Sequence, residues 1–192
     1  MPNAPSTSLV EAFADRFREL SGEAHIIARL EDAGPIIASI VQAESAECVA
    51  LAHMDDTTHE AVRSAIPGGT EILEPPYPSD GLPEVLDKAQ VGITGVDWAI
   101  AETATLVEVC TDDVVRLVSG LPRTHIGIVR ASTLVDKFTD AAEPMRKALA
   151  DNPENCSISF ISGPSRTGDI EMILTLGVHG PERAHTIIIE DC

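Results

Sequence analysis

A chain of 192 residues, 44% of them hydrophobic, can bury a full core, and one principal domain is expected. Its 31 acidic residues against 13 basic ones leave a formal charge of −18, a field that repels nucleic acid and anionic membrane. No run of about 18 apolar residues occurs, and MPNAPSTSLVEAF lacks a basic region followed by an apolar stretch, so neither membrane insertion nor a secretory leader is expected.

Cys48, Cys110, Cys156 and Cys192 lie far apart with no C-x-x-C. That spacing points to reduced thiols in a cytoplasmic protein rather than a zinc set or a disulfide framework. The acidity is concentrated: residues 31 to 112 hold sixteen Asp and Glu against Arg63 and Lys88, a net of −14. A solvated acidic surface accounts for this, with a docking face for a basic partner as the alternative.

In chain order, Leu9, Phe13, Phe17 and Leu20 repeat at helical spacing behind Ser8, which predicts an amphipathic N-terminal helix over residues 8 to 21. Residues 1–22 are therefore expected as a helical extension and 23–192 as a single α/β domain. Ala24 to Leu30 reads as a strand and Glu31 to Ala43 as a helix with Pro35 in its first turn. A strand at Glu47 to Ala52, a helix at Thr57 to Ala65, a Pro67-Gly68-Gly69 turn and a strand at Glu71 to Leu73 follow. The proline-rich stretch Glu74 to Pro83 predicts an extended connector before a helix at Pro83 to Ala89. Alternating strands and helices argue for an α/β fold with an open, mostly parallel sheet flanked by helices.

Val91 to Cys110 reads as two strands or a hairpin in which Asp97, Glu102, Thr103 and Thr105 interrupt an apolar run, where an unpaired carboxylate is costly. Trp98, flanked by small residues, is expected to pack. A helix or turn within residues 111 to 123, a strand at His125 to Val129 and a helix over Leu134 to Ala150, broken or restarted near Glu143 by Pro144, are predicted next. Two β-branched runs, Ile158 to Ile161 and Thr186 to Ile189, bracket the turns Gly163-Pro164 and Gly180-Pro181. As buried strands they would deliver two loops to one edge.

Those loops carry the densest candidate chemistry. In GPSRTGD, Gly163 permits close backbone approach, Ser165 and Thr167 offer hydroxyls, and Arg166 offers a planar fork for carboxylate or phosphate. The competing reading pairs Arg166 with Asp169 or Glu171 to lock a turn. The order is not that of a P-loop, and its lysine is missing. In GVHGP, His179 beside Gly180 sits on a constrained turn, as a structural group or as an acid or base near neutral pH. Glu102 is either a nucleophile or base for acyl transfer, or the partner of Arg166. His125 and His185 read as strand residues, and no ligand-spaced cluster predicts a metal site.

The wording IAETAT, LPRTHIGIV, ISGPSRTGDIE and GVHGPERAH, in that order, closely resembles the lactate-utilisation protein C family, the LUD domain group. The resemblance is dense over residues 91 to 191. It implies the CoA transferase-like fold shared with sugar-phosphate isomerases and formyltetrahydrofolate cyclo-ligases, with ligands at strand ends. It also implies an accessory role in oxidising L-lactate to pyruvate beside iron-sulfur and cysteine-rich oxidoreductase-like subunits. Ala104 stands where the family usually has glycine, and Gly168 where alanine is more usual. No cluster-binding cysteine set and no glycine-rich dinucleotide fingerprint are present, so no cofactor is expected on this chain. The expected role is a small-anion site at the C-terminal loops. An acyl- or phosphoryl-transfer enzyme using Glu102 and a non-catalytic interaction subunit are the rivals.

Overall fold

Strands and helices do alternate, and the alternation builds a parallel sheet. The computed structural model describes residues 7–78, 80–170 and 173–190. Its elements are α1 (Thr7–Glu19), β1 (Glu23–Ile27), α2 (Ala33–Ala43), β2 (Cys48–Ala52), α3 (Asp56–Ala65), β3 (Glu71–Leu73) and α4 (Leu82–Leu86). They continue with β4 (Val91–Gly95), β5 (Trp98–Ile100), β6 (Thr105–Cys110), α5 (Asp113–Gly120), β7 (Thr124–Arg130), β8 (Leu134–Val135) and α6 (Ala142–Asp151). The last strands are β9 (Ser157–Ile161), β10 (Arg166–Ile170), β11 (Ile173–Leu176) and β12 (Arg183–Ile189).

Six strands form the main sheet in the order β1-β12-β7-β4-β2-β3, every neighbouring pair parallel. This is the open parallel α/β sheet that the alternation predicts. Side chains alternate across it with period two, so each strand serves two cores. On one face Ile27, Val49, Leu51, Ile93, Ile126, Ile128, Ile187 and Ile189 pack against Ile37, Ile40 and Val41 of α2 and Val62 of α3. Beneath the other face, Cys48, Ala50 and Ala52 meet Leu86 and Val118, from α4 and α5.

Over β12 and β7 that second face is covered by α1 and by a second sheet, which the periodicity of the chain did not announce. Its order is β8-β5-β6-β9, with β5-β6 and β6-β9 antiparallel and β5-β8 parallel. Val91 to Cys110 therefore holds three strands: β4 joins the main sheet, and the hairpin β5-β6 leaves it. Phe13 and Phe17 of α1, fully buried with ring centroids 5.9 Å apart, pack with Ala99, Leu106, Val129 and Ile188. Each aromatic buried in this way contributes about 1.5–3 kcal/mol. α6 covers the outer face of the second sheet, against Trp98, Ile100, Val107 and Val109.

Three expectations need correction. Leu134 and Val135 form a short strand beside Ala99 and Ile100 instead of opening a helix, because Leu134 is buried there. The helix begins only at Ala142, which places Pro144 in its first turn, where the missing N–H breaks no helical hydrogen bond. The runs around Ile158 and Thr186 belong to different sheets. β12 is buried, whereas β9 is half-buried with Phe160 exposed.

Between the two sheets lies a polar cluster. Glu108 faces inward from β6, while Thr94 and His125 face it from β4 and β7; all three are fully buried. The Thr94 hydroxyl donates to Glu108 Oε1 at 2.5 Å and lies 2.7 Å from His125 Nε2. With the Thr94 proton assigned in this way, Nε2 carries the ring proton and Nδ1 is the acceptor. Burial pushes the Glu108 carboxyl up to about 7 and the His125 imidazole down to about 3. Between about pH 3 and pH 7 the 3.6 Å Glu108–His125 contact therefore joins two neutral groups.

Ala104 closes the β5–β6 turn at φ 47° with no exposed surface. A left-handed alanine costs about 1 kcal/mol. Glycine would relieve that, but it would lose a buried methyl worth about 0.8 kcal/mol and add backbone entropy to the unfolded chain. Ala104→Gly is therefore expected to change stability by less than about 1 kcal/mol. Ala104→Val, β-branched and overpacked at the same φ, should cost about 2–4 kcal/mol in urea melts.

The buried pair sets opposite pH slopes. The folded chain keeps the Glu108 proton up to about pH 7, while an unfolded Glu releases it near 4.5. The stability tied to that proton is thus complete below pH 4.5 and is lost as pH rises towards 7. An unfolded His125 takes its proton near pH 6.5, and the folded one only near 3, so its contribution is complete above 6.5 and is lost as pH falls. Glu108→Gln keeps the neutral shape. Relative to wild type it should gain a few kcal/mol between about pH 5 and pH 8 in urea melts. An unchanged difference between those two pH values would show that the carboxyl is already ionised at the lower one.

Candidate functional site

The two Gly-Pro turns do meet. Ser165 N donates to Pro181 O at 2.8 Å, Gly177 N to Ser165 O at 3.0 Å and the Ser165 hydroxyl to His179 O at 2.8 Å. The antiparallel hairpin β10-β11 joins the two loops, pairing Arg166 with Leu176 and Thr167 with Thr175. Gly163 takes φ +92°, and a Cβ there would sit 2.9 Å from Leu20 O, so the first loop lies directly on the end of α1.

The IAETAT turn reaches the same place through hydroxyls. Thr103 Oγ1 and Thr105 Oγ1 are 2.7 Å apart, and Thr105 Oγ1 is 2.7 Å from Ser162 Oγ. The LPRTHIGIV segment supplies His125, and Arg123 pairs with Glu182 at 2.7 Å. Around these contacts opens a cavity of about 390 Å³, lined among others by Arg116, His125, Ser162, Ser165, His179 and Gly180. Buried His125 on its wall has an Nδ1 without a hydrogen-bond partner. Arg116 at its rim pairs with Asp113 at 2.6 Å.

Some predicted residues lie elsewhere. The Arg166 side chain is exposed and donates to Leu20 O, with Ser21 Oγ at 3.4 Å. It thus satisfies a carbonyl that the C-terminus of α1 leaves free. Glu102 is exposed on the β5–β6 turn rather than buried at a strand end; its carboxylate accepts from Phe138 N at 2.9 Å and its carbonyl from Arg16. The structure gives Arg166 no contact with Glu102. Asp169 is described only as a position of β10, and Glu171 lies outside the described residues.

A second polar crevice opens where the strand order of the main sheet reverses. The chain leaves β2 towards β3 at one edge and leaves β4 towards β7 and β12 on the other side, so a cleft forms beyond the C-terminal ends of β2 and β4. Ligands of open α/β sheets characteristically bind at such a point. His53, Asp55, Gly95, Asp97 and Arg130 line a cavity of about 140 Å³ there. His53 holds φ 59°, and a Cβ on Gly95 would meet His53 O at 2.0 Å. His53 Nε2 is 2.7 Å from Asp97 Oδ2, which also accepts from Val109 N at 2.7 Å. The hydrogen bond to Asp97 raises the His53 pKa against the effect of burial.

Sequence reasoning singled out Asp97 but missed His53, Arg116 and Glu108. A signal existed for two of them. HMDD follows directly on the apolar run CVALA, and Glu108 interrupts the alternation of TLVEVC at an inward position. For Arg116, on a solvated helix, no such signal is present.

A family model described as the LUD domain matches residues 10–189. Lactate utilization protein C of Macrococcus caseolyticus is 44% identical over 110 residues, 56% of this chain and 47% of that protein. Its Bacillus subtilis counterpart is 36% identical over 138 residues, 65% of this chain and 58% of that protein. The chain thus spans about half the length of the relatives it matches. The crystal structure of a DUF162 family protein from Deinococcus radiodurans shares the fold, with a TM-score of 0.64 over 96% of this chain and 99% of the other at 19% identity. With the family model covering almost all of the described residues, the chain belongs to the LUD domain family.

Proposed function

We propose that this chain is a cytoplasmic component of L-lactate utilisation that acts beside iron-sulfur and cysteine-rich oxidoreductase subunits. Its loop cavity takes a small anion, of the 2-hydroxy- or 2-oxo-carboxylate class or phosphate. The names of its relatives support the physiological setting. The supporting observation for the site is convergence: four motifs spread over about ninety residues meet around one cavity.

In this reading Arg116 and the Ser162 and Ser165 hydroxyls hold the anion, and His179 and Gly180 shape the opposite wall. The His125 Nδ1 lone pair accepts a hydrogen bond from the hydroxyl of a 2-hydroxy acid, with no proton transferred, so no charge is desolvated. Thr103 and Thr105 fix Ser162 from behind. Arg166 serves by pinning the loop to α1, and Thr167 continues the hairpin strand that carries it. No helix among the described residues is long and apolar enough to cross a membrane.

Thermal melts of the full chain with L-lactate, pyruvate or phosphate test the site. A ligand present at about a hundred times its Kd should add about 2.7 kcal/mol, roughly 5–10 °C for a chain of this size. Arg116→Ala should remove the shift and leave the ligand-free melt within about 1 °C, because its pair with Asp113 is exposed. If Arg166→Ala removes the shift and Arg116→Ala does not, the anion binds outside the loop cavity. If none of the three ligands shifts the melt, the small-anion reading fails.

A further inference from the structure

On the face of the main sheet that packs against α2, residues 23, 25 and 27 of β1 and 183, 185, 187 and 189 of β12 point the same way. Ile27, Ile187 and Ile189 are core, but the N-terminal ends of the two strands carry Glu23, His25, Arg183 and His185. Strand register sets Glu23 directly beside His185. The two imidazoles stack with centroids 5.8 Å apart and planes 15° from parallel. One ligand atom from each of Glu23, His25 and His185 lies within 4.8 Å of the others, with His185 Nδ1 to Glu23 Oε2 at 3.7 Å.

Two features point beyond a structural pair. His185 is 5% exposed, and its Nδ1, like His25 Nε2, is buried without a hydrogen-bond partner. The three residues also line a cavity of about 380 Å³, closed on its far side by Ile36, Ser39 and Ile40 of α2. Arg183 lines it too, but Glu44 holds that guanidinium at 2.5 Å. Arg18, which acts on His25 from the α1 side, is likewise paired with Asp15, so Glu23 is left as the carboxylate free to meet a cation.

We infer that Glu23, His25 and His185 form a three-ligand site for a divalent transition-metal ion of the zinc type, with its fourth position open to the cavity. Two imidazoles and one carboxylate suit zinc, cobalt or nickel and not magnesium or calcium, which favour oxygen ligands. A tetrahedral ion with bonds of about 2.0–2.1 Å sets its ligand atoms about 3.3–3.4 Å apart. The exposed Glu23 side chain can swing in to close the remaining gap. The site lies on the face of β12 opposite Ala184, which lines the loop cavity, so it stands independently of the small-anion reading.

Calorimetric titration of the untagged, chelator-treated full chain with zinc chloride tests this, alongside the visible spectrum of the cobalt(II) form. Expected are one zinc per chain, no heat from magnesium at the same concentration, and tetrahedral cobalt bands without a thiolate charge-transfer band. His25→Ala and Glu23→Gln, at the less buried ligands, should each weaken zinc by at least about 10–100-fold, the loss that even an outer partner of a metal ligand causes. Their metal-free melts should stay as in wild type. Absence of zinc binding, wild-type zinc affinity in both variants, or a thiolate band showing that a cysteine holds the ion would each overturn the assignment.

Discussion

The fold depends on two sheets meeting face to face across a buried carboxylic acid. Below about pH 7 Glu108 keeps its proton in that interface, because burial between apolar layers disfavours the charged form. Thr94 and His125 reach it from the main sheet and convert a desolvation cost into a directed contact. A hydrogen-bonded group of this kind fixes how one sheet lies on the other more narrowly than apolar packing can. Because His125 occupies both the interface and the wall of the loop cavity, the register of the sheets also sets the shape of the candidate site.

α1 ties the arrangement together from outside the sheet. Its two phenylalanines fill the space between α1 and both sheets, and its C-terminal end receives Arg166 and the Gly163 loop. Arg16 of the same helix holds the turn that bears Glu102. Residues far apart in the chain therefore share one support. A guanidinium that reads in sequence as an anion fork instead meets a helix-end carbonyl, a group that every helix leaves unsatisfied.

Most elements of the main sheet were legible because their signals are local. Short apolar runs gave β2, β3, β7 and β12, with Gly or Pro nearby for all but β2, and the helical spacing of Phe13 and Phe17 gave α1. The wording of four motifs pointed to the family, and Ala104, where the family usually has glycine, takes a left-handed φ of 47°. The second sheet was not legible. Three-residue β5 and two-residue β8 are too short to carry a period, and the pairing of β8 with β5 and of β9 with β6 is decided by contacts between stretches far apart in the chain.

The sequence by itself determined the class of fold, the acidity, the family and the short list of polar residues placed against apolar runs. These follow from composition, from alternation and from residue order, which act over a few neighbours. Only the tertiary structure decided which of those residues meet. It set Arg166 on α1, His125 against Glu108, His53 beside Asp97, and Glu23 with His25 beside His185 across some 160 residues of chain. Such encounters depend on strand order and sheet-to-sheet packing. Both are fixed by the burial of the whole core, and neither is encoded in the spacing of the residues that meet.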